Sequence, residues 1–112
     1  MVKYLKTFEE FQKAVSQNTC VIDYTATWCG PCKAIAPVFE DIASYYAKQG
    51  LPLKFYKVDV DQNAKAAEVS NISAMPTFQV WKDGKTLVKY TLKGANKNSL
   101  INMVNKVVSE GV

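Results

Sequence analysis

The sequence predicts an α/β domain with a central mixed sheet of about five strands flanked by four helices. Three observations carry that expectation. Segments rich in β-branched and aromatic residues alternate with segments of helical apolar spacing, in the order β-α-β-α-β-α-β-β-α. Strands separated by a helix pair in parallel, whereas the last two are joined by Lys82-Asp83-Gly84-Lys85, whose Asp-Gly dipeptide marks a tight antiparallel hairpin. The chain has 112 residues, 48% hydrophobic and 21% charged, enough to bury a core and too apolar for disorder. That length lies within the roughly 100–200 residues of one domain, so residues 1–112 read as a single domain.

Each element has its own signal. Lys3-Tyr4-Leu5 is a short strand. Thr7 is placed to cap the first helix with Glu10 at capping-box spacing, and Phe8, Phe11 and Val15 recur at helical intervals. Cys20 to Thr25 is a strand of β-formers. Cys32 to about Gln49 is a long helix with Ile35, Val38, Phe39, Ile42 and Tyr46 on one face. Pro37 inside it removes a hydrogen bond and crowds the preceding turn, so a kink is expected, and Gly50 is well placed to end it. Leu53 to Val60 is a second strong strand, and Asn63 to Val69 a short helix for which Asn63 is the expected cap. Thr77 to Trp81 and Thr86 to Leu92 form the hairpin, and Leu100 to Val108 closes the chain as a helix.

Composition removes whole classes of chemistry. Fourteen Lys against ten Asp plus Glu give +4, with no Arg and no His. A His-based triad, a His metal ligand and a His acid–base pair are therefore excluded. Without Arg, bidentate reading of guanine or phosphate is not expected. The Lys residues are scattered rather than blocked, which reads as a solvated surface and not a nucleic-acid face. No apolar run reaches the roughly 18 residues of a membrane helix, and no leader is visible after Met1. Three Cys are too few for a disulfide scaffold, which suits a reducing compartment better than a secreted one, and a cytoplasmic location is the expectation.

Two of those cysteines sit in Trp28-Cys29-Gly30-Pro31-Cys32-Lys33, between a strand and a long helix. At a helix N-terminus, unpaired N–H groups and the helix dipole favour negative charge, so the pKa of Cys29 should fall and release thiolate. Cys32 lies about one turn on, where its sulfur can reach the first, close a small ring and expel a bound partner. Pro31 opens the helix where a missing N–H costs little. Half a zinc site is the weaker reading, since one further Cys and no His leave the ligand set short. Two inert core thiols is the other.

The hexapeptide resembles the active site of the thioredoxin family, and the resemblance runs along essentially the whole chain. Asp23 stands six residues before Cys29, as the family's buried Asp does. Lys57-Val58-Asp59 resembles the family's partner-lysine strand, and Ala74-Met75-Pro76-Thr77-Phe78 its cis-proline segment. Asp83-Gly84-Lys85 is similar to its hairpin and Gly94-Ala95 to its final loop. The resemblance implies a thioredoxin-like fold and reduction of protein disulfides by Cys29 as nucleophile and Cys32 as resolving thiol. It implies no bound cofactor, NADPH being used through the flavoprotein thioredoxin reductase, which restores the dithiol. It implies partners that carry disulfides, such as peroxiredoxins and other reductases, and a monomer without nucleic acid or membrane.

The same resemblance assigns Asp23 as general base toward Cys32, with Lys57 as its electrostatic neighbour. A buried Asp would have a raised pKa and be able to take that proton. A surface Asp23 and a Lys57 that snorkels to solvent are the plainer alternatives. Pro76 alone would be expected trans, and the resemblance reverses this. It also makes Met75 a source of edge-strand hydrogen bonds to an extended substrate. Trp28 is expected as an apolar shoulder of the substrate groove or a packing residue. Gly30 and Pro31 lie between the cysteines, and Gly94 and Ala95 are small enough to admit a substrate backbone. Lys33 reads as a solvated cation and Cys20 as a buried small apolar residue, a regulatory thiol being the alternative.

Some positions depart from the family pattern. Thr25 stands where many members carry a second Trp, Ala74 where some animal members carry a further Cys, and the chain is basic where the family is commonly acidic. A disulfide oxidase or isomerase is the rival within redox chemistry; glutaredoxins and oxidases typically carry an aromatic or a His between the cysteines, and Gly30-Pro31 favours the reductase. A binding module that uses its dithiol little is the rival from another class.

Overall fold

Turn and cap chemistry show how the local signals become structure. The computed structural model describes residues 2–112, so Met1, where the search for a leader begins, lies outside the described residues. Strand β1 is Lys3–Tyr4 and helix α1 Phe8–Gln17. The Thr7 side chain accepts the Glu10 N–H at 3.1 Å and Glu10 accepts the Thr7 N–H at 3.2 Å, the expected capping box. Strand β2 is Thr19–Thr25, helix α2 Gly30–Lys48 and strand β3 Leu53–Asp59. Helix α2 starts two residues earlier than its apolar periodicity suggests, because Cys29 is its N-cap, and it runs through Pro37. Gly50, at φ 71°, ends it in the left-handed conformation that glycine adopts without a steric cost.

Helix α3 is Ala64–Val69 and strand β4 Thr77–Lys82. Asn63 does not cap α3 with its side chain; it is buried and donates to the Leu5 carbonyl at 3.0 Å. At the hairpin, Asp83 and Gly84 have φ of 53° and 76°, the paired positive values of the turn that an Asp-Gly dipeptide favours.

The strand expected over Thr86 to Leu92 is interrupted. Strand β5 is Lys85–Thr86, a 3-10 turn follows at Val88–Tyr90, and strand β6 is Leu92–Lys93. Register explains the break. Trp81 faces Thr86 on β5, which in a continuous ladder would set Phe78 opposite Lys89; Phe78 instead faces Leu92, three residues later. Leu87 and Tyr90 both pack on the core, a spacing of three that a strand cannot satisfy on one face. Helix α4 is Lys97–Ser109, three residues longer at its start than the apolar pattern shows, with Asn96 accepting the Ser99 N–H at 2.9 Å as cap.

The sheet order is β1-β3-β2-β4-β5, with β6 also on β4. Strands β1, β3 and β2 are parallel and β4 is antiparallel to β2, so the sheet is mixed as expected. Alternation along each strand divides the apolar residues between two cores. Val21, Phe55, Phe78 and Val80 meet α2 and α4 on one face, around Phe39, whose ring lies 5.7 Å from Phe55 and 5.6 Å from Phe78. Cys20, Ile22, Tyr24, Val58 and Trp81 meet α1 and α3 on the other. By the same alternation Asp23 and Lys57, paired in register, point to the α2 face. Among the described residues no helix is long and apolar enough to cross a membrane.

Candidate dithiol site

Strand β2 ends at Thr25, and a short turn delivers Cys29 to the head of α2. Its backbone is extended, at φ −91° and ψ 106°, and its Sγ accepts the Cys32 N–H at 3.2 Å. A sulfur so placed receives one of the helix's otherwise unpaired N–H groups, and a thiolate there is stabilised by that bond and by the helix dipole. Cys29 and Cys32 are joined as a disulfide with Cα atoms 5.3 Å apart. Both residues are largely covered, Cys29 being 5% and Cys32 1% exposed. Gly30 and Pro31 form the exposed first turn between them.

The loop before β4 supplies the facing wall. The Met75–Pro76 bond is cis, and the Met75 carbonyl oxygen lies 3.9 Å from Cys29 Sγ. Half-buried Met75 packs with Ala26, Cys29, Cys32 and Val60 in a small apolar cluster. Thr77 Oγ1 donates to the Ala74 carbonyl at 2.6 Å, which holds the loop. Gly94 donates its N–H to the Pro76 carbonyl at 2.9 Å from a backbone with φ 100°, a conformation that a side chain would strain. Ala95 follows it, exposed.

Asp23, on the α2 face of the strand that leads into the dithiol turn, is fully buried, and neither carboxyl oxygen has a hydrogen-bond partner among the described residues. Burial pushes its pKa up to about 7, against the opposing pull of the Lys57 charge. Lys57 is buried beside it, yet its ammonium stands 5.6 Å from the centre of the Tyr4 ring. Tyr4, Thr25, Cys32, Lys33, Lys57 and Asp59 line a cavity of about 360 Å³. This cavity gives Cys32 and Lys57 a route to water. A larger groove of about 790 Å³ between α2 and α4 contains none of the dithiol residues.

Trp28 is the exposed shoulder, 66% open to solvent, and its indole Nε1 donates to Asp61 Oδ2 at 2.8 Å. Asp59 in turn accepts the N–H groups of Asp61 and Gln62 at 2.9 and 3.2 Å. Sequence reasoning missed Asp61; the signal available was the alternation Lys57-Val58-Asp59-Val60-Asp61, which carries two carboxylates out of the end of β3. Tyr4 was likewise read only as part of a strand. Cys20 is not part of the site: it is fully buried in the α1 core, and burial raises its thiol to about 12.

Known proteins resemble this chain in sequence and fold. Residues 2–106 match the family model described as Thioredoxin. The chain belongs to the thioredoxin family. It is 44% identical over 109 residues to a thioredoxin of Geodia cydonium, covering 95% of this chain and 98% of that one. Its fold superposes on a Plasmodium falciparum thioredoxin structure with a TM-score of 0.85 at 42% identity, over 94% of this chain and 98% of that one. A third match comes from a structural study of thiol resolution in a yeast mitochondrial 1-Cys peroxiredoxin via glutathione/thioredoxin systems. It has a TM-score of 0.82 at 33% identity and covers 94% of each chain. With its Cys29–Cys32 pair, the chain is a protein-disulfide oxidoreductase of the thioredoxin type, reducing disulfides by dithiol exchange.

Proposed function

We propose that the reaction divides among the site residues as follows. The Cys29 thiolate attacks one sulfur of a substrate disulfide; a bond forms to that sulfur, and the other leaves as a thiolate that takes up a proton. The substrate segment lies extended along Met75, between the Trp28 shoulder and Gly94-Ala95, with Gly30 and Pro31 beneath it. Asp23 as carboxylate accepts the Cys32 proton, and Lys57 modulates that acidity. The Cys32 thiolate then attacks Cys29 Sγ and expels the second substrate sulfur. Two electrons and two protons pass to the substrate, and the Cys29–Cys32 disulfide remains.

The observation that carries this reading is the buried, unpartnered Asp23 carboxyl on the α2 face of β2, together with a disulfide capped on the start of α2. The half-ionised state of an acid near 7 suits both taking and releasing a proton at neutral pH. We further infer that residues 1–112 act as one monomeric cytoplasmic domain without a bound cofactor. Thioredoxin reductase, drawing on NADPH, returns the dithiol. Peroxiredoxins are among the substrates, as the context of the third structural match supports.

Replacing Cys32→Ser tests the division of labour. Turnover should stop, and substrate should accumulate as a mixed disulfide on Cys29, visible as a mass adduct that dithiothreitol removes. Retained multiple turnover, or an adduct on the Ser-variant at Cys20, would overturn the assignment.

A further inference from the structure

Tyr4, Lys57, Asp23 and Phe78 are register partners across β1, β3, β2 and β4, so their side chains form one row on the α2 face. Two members of this row are buried and of opposite charge type, and the expected outcome of such a pair is contact, since each otherwise lacks compensation. Contact is not observed. Both Asp23 oxygens are unpartnered, and the only ion pair among the described residues joins Lys89 to Glu110. The Lys57 ammonium instead lies within cation–π range of the Tyr4 ring, at 5.6 Å.

Tyr4 has no evident packing duty. It is 40% exposed, and it belongs to neither of the cores on the two sheet faces. It does line the cavity that also touches Cys32 and Lys57. Its ring thus stands where it can compete with Asp23 for the ammonium.

We propose that Tyr4 is a positioning residue of the dithiol reaction: its ring holds the Lys57 ammonium in the cavity and off Asp23, leaving the carboxyl unpaired for proton exchange with Cys32. The role in catalysis rests on the reading of Asp23 as proton acceptor; the effect on Asp23 itself does not. The other groups facing this space are Cys32 and Lys33 from α2 and Asp59 from β3, and the β4 neighbour of Asp23 is the uncharged Phe78. None of these offers the ammonium an aromatic face. With the ring removed, two carboxylates are left to the ammonium: Asp59, whose Oδ1 already accepts two backbone N–H groups, and Asp23, unpartnered and in register with Lys57, which we take as its next partner.

The test is a carboxyl-carbon NMR titration of Asp23 in the oxidised full chain, where Cys32 carries no proton. Tyr4→Leu should lower the Asp23 midpoint by roughly half a unit to one unit, about three- to tenfold in proton affinity. Tyr4→Phe keeps the ring and should leave the midpoint in place. In a Lys57→Met background, Tyr4→Leu should have no effect. An unchanged or raised midpoint in Tyr4→Leu, an equal shift in Tyr4→Phe, or a shift that survives without Lys57 would each overturn the proposal. The rate of mixed-disulfide resolution in Asp23→Asn is measured separately. If it matches the parent rate, the proton-acceptor reading fails while the titration result stands.

Discussion

Asp23 and Tyr24 are neighbours in β2, both fully buried, and the two faces of the sheet treat them in opposite ways. On the α1 face, the Tyr24 hydroxyl lies 2.8 Å from Ser70 Oγ and 3.0 Å from Gln79 Oε1. It accepts from Trp81 Nε1 at 3.2 Å, and Gln79 Nε2 donates to the Ser70 carbonyl at 2.9 Å. Burial still disfavours the phenolate, so this hydroxyl stays neutral and closes a network. On the α2 face, one residue away, the Asp23 carboxyl has no partner at all. A satisfied network specifies packing, whereas an orphaned acid costs stability and is retained where its titration is used.

The largest effect should come from removing the acid. Burial lifts Asp23 from an ordinary 3.8 to about 7. Between those pH values the unfolded chain has lost a proton that the folded chain still holds. Stability therefore declines as pH rises through that window and levels off above it. Asp23→Asn abolishes the decline, so the variant should exceed the parent by on the order of 4 kcal/mol at pH 8 and by little at pH 4. Urea unfolding at the two pH values measures this, and an equal difference at both would show that the charge is not the cause.

Breaking the opposite face should do the reverse. Tyr24→Phe leaves Ser70 and Gln79 short of a partner and should cost roughly 1–3 kcal/mol, independent of pH from 4 to 8, with disulfide reduction unaltered. A pH-dependent loss would mean that the network communicates with Asp23. The smallest effect belongs to the third cysteine. Cys20→Ala on the Tyr24 face should cost about 1 kcal/mol by lost packing and leave the reduction potential of Cys29–Cys32 in place. A changed potential would bring Cys20 into the redox chemistry.

What was legible in the sequence follows the range of the interactions involved. Thr7 with Glu10, Gly50 and the Asp83-Gly84 turn act within a few residues, and the structure reproduces all of them. The capping position of Cys29 is equally local. The break after Thr86 was not legible, because the alternation there looks like a strand until Phe78 selects Leu92 over Lys89 as its partner. Asn63 offered a cap and was taken instead by a carbonyl far away in the chain, that of Leu5. At the site, Cys29, Cys32, Asp23 and Pro76 stand out in the sequence through a motif and its spacing, whereas the contacts of Asp61 with Trp28 and of Tyr4 with Lys57 arise only on folding.

The three-residue slip in register between β5 and β6 leaves Val88 the most open of the exposed large apolar side chains, at 76%. Next to it Lys89 and Tyr90 are both anchored on Glu110 at the end of α4, and Leu92 is locked opposite Phe78, two residues from Pro76. Position 88 is therefore an attachment point with a stiff mount. A spectroscopic label coupled there, on a residue outside the dithiol cavity and its apolar cluster, would tumble with the body of the protein and report partner docking through slowed rotation.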